Sequence, residues 1–260
     1  TDFVNNMTTL ILGHRPPEVI SAVAKQINHG LSFPPPSPSV VKWAELLCER
    51  VPSLNKVRFV NTGTEATLNA IRAARAFTGK EKLVKCEGAY HGNHDAIQIS
   101  VVPPLDQAGD AESPEAIKAF PGISRTSIDD IFIAPFNNIV SAERIIREHA
   151  DELAAVIVEP VNGQCGMVPG TPEFLEGLRR VTKELGIVLI FDEVIAFRIA
   201  YGGAQDYYGI TPDLTCFGKV IGGGMPVGAF GGREDIMSMW DPTNGGATVQ
   251  HAGTFNGNPM

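Results

Sequence analysis

The sequence is poor in cysteine and has no long apolar run. Its four cysteines, Cys48, Cys86, Cys165 and Cys216, lie far apart, and no Cys-x-x-Cys pair is present. The spacing indicates neither a zinc site nor a thioredoxin-like motif, and a reduced, cytoplasmic setting is the simplest interpretation. No apolar run approaches the roughly 20 residues that span a bilayer, and no signal peptide is visible. We therefore expect no membrane partner.

Basic charge is also scarce. The formal net charge is −8, whereas a nucleic-acid partner requires a basic face that neutralises phosphates. A small anionic ligand stays compatible with this charge, because a local pocket can be positive on an acidic protein. His91 and His94 have no third ligand at a suitable spacing, and no His-Glu-x-x-His occurs, so we expect no metal site.

Three common enzyme motifs are absent. Gly218-Lys219 is followed by Val220 instead of Ser or Thr, so there is no P-loop. No Gly-x-Gly-x-x-Gly opens a helix, which disfavours a dinucleotide site. No Gly-x-Ser-x-Gly nucleophile elbow occurs either.

Short apolar runs alternate with helical patterns along the chain. The segments 155–158 and 187–191 are continuously apolar, as expected for strands buried on both faces. A helix is predicted over about 172–185, closed by Gly186, and a further strand over 97–101. This alternation predicts an α/β fold, with a mostly parallel sheet in a three-layer α/β/α arrangement.

Two loop-like regions differ in character. The segment 103–130 carries Pro, Gly, Ser and Asp without a long apolar period, which predicts a long surface loop and a candidate gate. The segment 61–66, between a predicted strand and helix, supplies Gly63 for close ligand approach and the hydroxyls of Thr62 and Thr64. With the helix N-terminus these form an anion cradle for one phosphate; the simpler alternative is an N-cap followed by a turn glycine.

Two more constellations follow predicted strands. Gly88-Ala89-Tyr90-His91-Gly92 places an aromatic pair between glycines, so a ring could stack on a flat ligand; the alternative is a glycine-rich turn with a surface tyrosine. Asp192 directly follows the most apolar strand and needs a partner to offset its desolvation. A protonated pyridine nitrogen would suit it, and so would a capping role or a pair with Arg198.

Lys219 lies among apolar and glycine residues, in Phe217-Gly218-Lys219-Val220-Ile221-Gly222-Gly223-Gly224. Most lysines are solvated surface groups, but these neighbours are unusual for a surface stretch. Burial lowers the pKa of a lysine, and a neutral amine can form an imine with an aldehyde.

A phosphate cradle, a stacking aromatic, a buried Asp and a desolvated Lys, in this order, resemble the fold-type I enzymes that use pyridoxal 5′-phosphate (PLP). More narrowly the chain resembles the class III aminotransferases, and within them glutamate-1-semialdehyde 2,1-aminomutase and its aminotransferase relatives. The stretches that carry this resemblance are 61–66, 90–92, 155–161, 191–194, 201–205, 214–232 and 253–259.

The resemblance implies a role for each matching residue. Lys219 would be the Schiff-base lysine and proton shuttle, and Asp192 would pair with the pyridine nitrogen. Tyr90 and Val194 would lie on opposite faces of the cofactor ring. The remaining expected cofactor-binding residues are Thr62, Gly63, Thr64, His91, Gln164 and Thr254. Thr254 matches a residue that completes the phosphate site of a partner subunit, which implies a homodimer with shared sites.

The expected reaction is PLP-dependent transfer of an amino group on a small amino substrate, within one molecule as in the aminomutase. The alternative is intermolecular transfer from a β-amino acid, ω-amino acid or amine to a keto acid. Gln164 stands where the aminomutases carry Asn, and Phe255-Asn256 where they tend to carry Leu-Ser, so both reactions stay open. A catalytically silent PLP-fold module and a phosphate-binding α/β protein without PLP are two further alternatives.

We expect two regions in the chain. Residues 1–32 would form an N-terminal segment that leads into the large domain, and residues 33–260 the PLP-binding large domain. The C-terminal small domain of the family would be absent from this sequence.

Overall fold

A computed structural model describes residues 2–33, 36–243 and 248–260. Eleven strands occur in these residues. They are β1 (Lys56–Val60), β2 (Lys82–Cys86), β3 (Gly109–Asp110), β4 (Ser113–Pro114), β5 (Ile131–Ala134), β6 (Leu153–Val158), β7 (Val161–Asn162), β8 (Val168–Pro169), β9 (Val188–Asp192), β10 (Leu214–Phe217) and β11 (Gly228–Gly232).

The same residues form nine helices, of which the first is a single turn with left-handed φ at Asn6 and Met7. The helices are α1 (Asn5–Thr8), α2 (Pro17–Ile27), α3 (Pro38–Arg50), α4 (Gly63–Thr78), α5 (Thr126–Asp129), α6 (Ile139–Glu148), α7 (Pro172–Leu185), α8 (Ala204–Tyr208) and α9 (Glu234–Met237). Short 3₁₀ turns cover Ala196–Ile199, Lys219–Gly222 and Ser238–Trp240.

Seven strands make the central sheet, in the order β1-β11-β10-β9-β6-β2-β5. The neighbours from β10 to β5 pair in parallel, and only β11 runs antiparallel to both of its neighbours. The predicted mostly parallel α/β sheet is confirmed. In such a sheet the carboxyl ends of the parallel strands meet along one edge, where ligands bind.

Helices cover both faces of the sheet, which gives the expected three layers. On one face the small residues of α4, Ala66, Ala70 and Ala73 among them, pack against the strands. On the other face α6 and α7 contribute a second apolar cluster that includes Ile146 and Leu178. The small residues let α4 lie close to the sheet, so its N-terminus reaches the edge where the strands end.

The boundaries of α7 agree with the prediction. It spans Pro172–Leu185; Thr171 caps its first turn, and Gly186 ends it in the left-handed conformation. This helix could be predicted from the sequence because a proline stands at its first position and a glycine follows its last.

Two predictions require correction. Residues 97–101 are buried but form no strand: one bridge joins Ile99 to Lys118, and Ser100 has a φ of 47°. A left-handed residue in the middle of the run breaks the pairing that the apolar pattern predicts. The segment 103–130 is not a structureless loop, since it contains the β3–β4 hairpin and α5, and Ile123 packs into the core.

No helix in the described ranges is long and apolar enough to cross a membrane. Within the same ranges, no group of three or more His, Cys, Asp and Glu side chains is arranged to hold a metal ion.

Candidate active site

A cavity of about 200 Å³ opens at the edge of the sheet where β9 and β10 end and α4 begins. Its lining includes Gly63, Thr64, Tyr90, Asp192 and Lys219. These five predicted residues come from four separate segments of the sequence. The topology unites them because the segments all follow strands of one sheet.

Lys219 lies just after β10, at the first residue of a 3₁₀ turn. Its φ of 47° is left-handed, a conformation that an L-residue adopts only where its surroundings hold it. Burial lowers the pKa of Lys219, while Asp192 and Glu159 oppose that shift. A lowered pKa increases the fraction of neutral amine, which is the nucleophilic form.

Asp192 ends β9 and is almost fully buried. His91 Nδ1 lies 2.9 Å from its Oδ2, and the backbone N–H of Val194 donates to its Oδ1 at 3.1 Å. Burial lowers the pKa of His91, which favours a neutral ring that donates its one N–H to the carboxylate. The suggested pair with Arg198 is wrong, because the Arg198 guanidinium donates to the carbonyl of Thr8.

The predicted anion cradle is the first turn of α4. Thr62 caps this helix by accepting the N–H of Glu65, and Gly63 is the first helical residue. Gly92 has a φ of 97°, and a Cβ on it would lie 2.7 Å from the Thr64 Cα. The loop that carries Tyr90 and His91 therefore rests directly on the start of α4, where free backbone N–H groups attract an anion.

Val194 packs closely against Gly63 and Gly218 beside the cavity. A Cβ on Gly63 would lie 3.1 Å and 3.2 Å from the two methyl carbons of Val194. One on Gly218 would lie 3.3 Å from a Val194 methyl carbon and 3.4 Å from the Gly63 Cα. Val194 is thus packed against the cradle and the lysine segment at once.

Tyr90 lines the cavity with 39% of its surface exposed. Its backbone N–H donates to Glu159 Oε2 at 2.9 Å. Glu159, which the sequence reasoning missed, follows β6 and also lines the cavity. Burial and the nearby Asp192 raise the pKa of Glu159 to about 8. The sequence does contain a pattern that indicates Glu159 as a site residue, because Glu159 follows a continuously apolar strand as Asp192 does.

Three predicted residues do not line this cavity. Thr62 is occupied in capping α4. Gln164 is exposed on the turn between β7 and β8, and Thr254 is exposed in the C-terminal segment. Thr254 was expected to serve a partner subunit, so its distance from this cavity leaves that prediction open.

The residues present fit PLP. The α4 N-terminus offers N–H groups to a phosphate, Lys219 offers an amine with a lowered pKa to an aldehyde, and Asp192 offers a carboxylate to a pyridine nitrogen. Tyr90 and Val194 provide flat and apolar contacts at the same cavity.

Comparison with known proteins gives consistent matches. The sequence model "Aminotransferase class-III" matches residues 1–260. The chain is 46% identical over 260 residues to glutamate-1-semialdehyde 2,1-aminomutase from Desulfotalea psychrophila. It superposes on an omega-transaminase from Sphaerobacter thermophilus with a TM-score of 0.96 and 48% identity. A structure described as a transaminase with PLP bound gives a TM-score of 0.92 and 40% identity.

These matches cover nearly all of this chain but only part of each relative. The aminomutase is matched over 100% of this chain and 58% of its own length. Each of the two solved structures is matched over 99% of this chain and 59% of its own.

Proposed function

The chain belongs to the class-III aminotransferase family, and we propose that it forms the PLP-binding part of an enzyme with glutamate-1-semialdehyde 2,1-aminomutase-like activity. The observation that carries this proposal is the single cavity that Lys219 shares with Tyr90 and a His91-bound Asp192. The similarity to the Desulfotalea aminomutase supports the choice of reaction. In this reaction an amino group moves between neighbouring carbons of one substrate.

When bound, PLP would supply an aldehyde that links to amines and a ring that accepts electron density from the substrate. Lys219 Nζ would hold the cofactor covalently and then carry a proton to and from the substrate carbon that bears the amino group. Asp192 would keep a proton on the pyridine nitrogen, and His91 would hold Asp192 in place. The first turn of α4, at Gly63 and Thr64, would bind the phosphate.

Intermolecular amino transfer is the second candidate. The 48% identity to the Sphaerobacter omega-transaminase supports it, and so does Gln164 at the position where the aminomutases carry Asn. On this alternative, a β-amino acid, ω-amino acid or amine would donate the group to a keto acid. Lys219 and Asp192 would have the same roles in both reactions.

We also propose a cytoplasmic homodimer with shared active sites. Thr254 would complete the phosphate site of the partner subunit, since it lies away from the cavity of its own chain. A Thr254→Ala variant should then weaken PLP binding in the dimer. Mixing it with Lys219→Ala subunits should restore intact sites in a share of the hybrid dimers.

Borohydride reduction of the PLP-incubated protein tests the central assignment. Peptide mass mapping should find a phosphopyridoxyl group on the peptide that contains Lys219. The Lys219→Ala variant is the control and should remain unlabelled. No label in the folded protein would contradict the proposal and favour a module without turnover.

A substrate panel separates the two reactions. Aminomutase-like activity should isomerise glutamate-1-semialdehyde with no keto acid added. A transaminase should act only when a keto acid is supplied as acceptor, and should form a new amino acid from it. If unreduced enzyme that binds PLP at Lys219 acted on neither class of substrate, both substrate assignments would be overturned.

A further inference from the structure

Lys85 is a fully buried lysine that the proposed reaction does not use. It lies in β2, next to the strand β6, and none of its surface is exposed. Its Nζ donates to the carbonyl oxygen of Ala89 at 2.7 Å and also to that of Ile99. Both acceptors belong to the loop that leaves β2 and carries Tyr90 and His91. An apolar side chain would fill this position without the desolvation cost of an amine.

Glu159 forms a second hydrogen bond to the same loop. It follows β6 and is almost fully buried, and its Oε2 accepts the backbone N–H of Tyr90 at 2.9 Å. The carbonyl of Ala89 and the N–H of Tyr90 are the two polar groups of a single peptide bond. One peptide group is therefore bound at its oxygen by Lys85 and at its nitrogen by Glu159.

This arrangement has a geometric consequence. A peptide group is planar, so binding it at both ends fixes the orientation of that plane and of the Tyr90 Cα that follows it. These hydrogen bonds are costly to lose, because a buried carbonyl or N–H left behind has no water to replace its partner. The next residue, His91, is the one that reaches Asp192. The two buried side chains thus act on the residues at the cavity through one peptide bond.

We propose that Lys85 and Glu159 form a peptide clamp, a pair of positioning residues that sets the Tyr90 ring and the His91 imidazole for PLP. The clamp is defined as Lys85, the Ala89–Tyr90 peptide group and Glu159. The part of the proposal that concerns PLP rests on the proposed function. The part that concerns the loop rests only on the contacts within the chain.

Single and double substitutions, compared by local amide exchange, separate positioning of the loop from overall stability. Lys85→Met or Glu159→Met alone leaves one buried polar group without its opposite charge, so either variant should unfold at lower temperature. Lys85→Met with Glu159→Met also leaves the Ala89–Tyr90 peptide group and the Ile99 carbonyl without these partners, so the double variant should unfold at a lower temperature as well. In the double variant the peptide group has lost the hydrogen bond at each of its ends.

Two measurements test the clamp: amide exchange of the loop and binding of PLP. In the PLP-free protein, amide hydrogen exchange of the peptide covering 87–92 should rise about tenfold in the double variant, while that of α7 stays unchanged. In the loaded protein, the PLP dissociation constant should rise about tenfold, and the pH midpoint of the visible absorbance of bound PLP should shift. Borohydride labelling of Lys219 should persist in every variant.

The chain contains a matched control at the other end of the same two strands. Lys82 Nζ lies 2.8 Å from Glu152 Oε2 in a partly exposed pair. Lys82→Met with Glu152→Met should leave loop exchange, PLP affinity and absorbance within about twofold of the unmodified protein, since surface pairs contribute little.

Each outcome has a defined meaning. A stable double variant with unchanged loop exchange and PLP affinity would overturn the clamp. If the double variant fails to fold, Lys85→Met alone replaces it, because it removes the donor to the Ala89 carbonyl and leaves Glu159 in place; unchanged exchange of the peptide covering 87–92 there overturns the clamp equally. Failure of Lys219 labelling in the unmodified protein would overturn the proposed function, while loop exchange would still decide the clamp.

Discussion

His91 and Asp192 are joined by a hydrogen bond of 2.9 Å between two buried side chains. Of the two imidazole nitrogens, only Nδ1 has a hydrogen-bond partner among the described residues; Nε2 has none there. The imidazole positions the Asp192 carboxylate through Nδ1. Supporting groups of this kind are commonly worth 10–100-fold in activity, or roughly 1.4–2.7 kcal/mol.

We expect His91→Phe to lower turnover about 10–100-fold, because phenylalanine keeps a flat ring but cannot donate to Asp192. Labelling of Lys219 by borohydride should persist, since the amine is untouched. His149→Phe is the control: His149 stacks on Phe132 and pairs with Glu152, far along the sequence from the site. Equal activity of the His91 variant and the control would show that the hydrogen bond has no catalytic consequence.

Gly92→Ala should weaken PLP affinity by about tenfold or more. The added Cβ would lie 2.7 Å from the Thr64 Cα and 3.0 Å from the Thr67 hydroxyl, so the loop must move off the α4 N-terminus. Gly79→Ala is the control, because Gly79 also has a left-handed φ but nothing lies within 4 Å of the added Cβ. Both variants incur about 1–2 kcal/mol of backbone strain. Titration with PLP should distinguish them, and similar affinities in the two variants would contradict the close approach.

The thiols should differ sharply in reactivity. Cys165 is exposed, whereas Cys86 and Cys216 are buried. Burial raises the pKa of Cys86 to about 12, so almost no thiolate forms at mildly alkaline pH. A brief iodoacetamide pulse followed by peptide mapping should label Cys165 in the native protein and Cys86 only after denaturation. Rapid native labelling of Cys86 would show that β2 opens far more readily than its burial implies.

Glu193 should make unfolding pH-dependent. Burial raises its pKa from 4.5 to about 7. Because the folded-state pKa is the higher one, the contribution to stability is complete below about 4.5 and is lost as the pH rises through about 7. The shift corresponds to a decrease of up to about 3 kcal/mol in the free energy of unfolding across that window.

Urea unfolding of the PLP-free protein at a series of pH values measures this decrease. Glu193→Gln should reduce the slope of the curve between those two pH values, and the slope that remains is expected from Glu159, whose pKa is also raised. Glu176→Gln, at an exposed position of α7, should leave it unchanged. A parallel pair of curves for the Glu193 variant and the unmodified protein would exclude Glu193 as the source.

Strands could be predicted from the sequence where they are apolar throughout, and helices where residues that favour a helix start and a helix end are both present. The strands around 155–158 and 187–191, and the helix closed by Gly186, are such cases. The strand predicted over 97–101 failed because its residues are buried without regular strand pairing: the Ile99 carbonyl accepts a hydrogen bond from Lys85, and Ser100 has a left-handed φ. Apolar alternation reports burial, and it does not report whether the backbone pairs with a neighbour.

Site residues could be predicted from the sequence only where the residue and its immediate neighbours already indicate a function. Lys219 and Asp192 stand out because a charge beside an apolar run demands a partner. The roles of His91 and Glu159 depend on contacts across 101 and 69 residues of sequence. No local pattern encodes such contacts: His91 was expected among the cofactor-binding residues and does line the cavity, but its contact with Asp192 could not be predicted.

The contact among Gly63, Gly218 and Val194 determines which positions at the cavity can be varied independently. A larger residue at either glycine requires its neighbours to shift, so these three positions should be varied together in any library. Ile195 also lines the cavity, and its side chain abuts Gly163 at the edge of the hairpin formed by β7 and β8. Diversity at Ile195 would change the shape of the cavity without altering the phosphate cradle or Lys219, which makes it the position from which to begin a redesign.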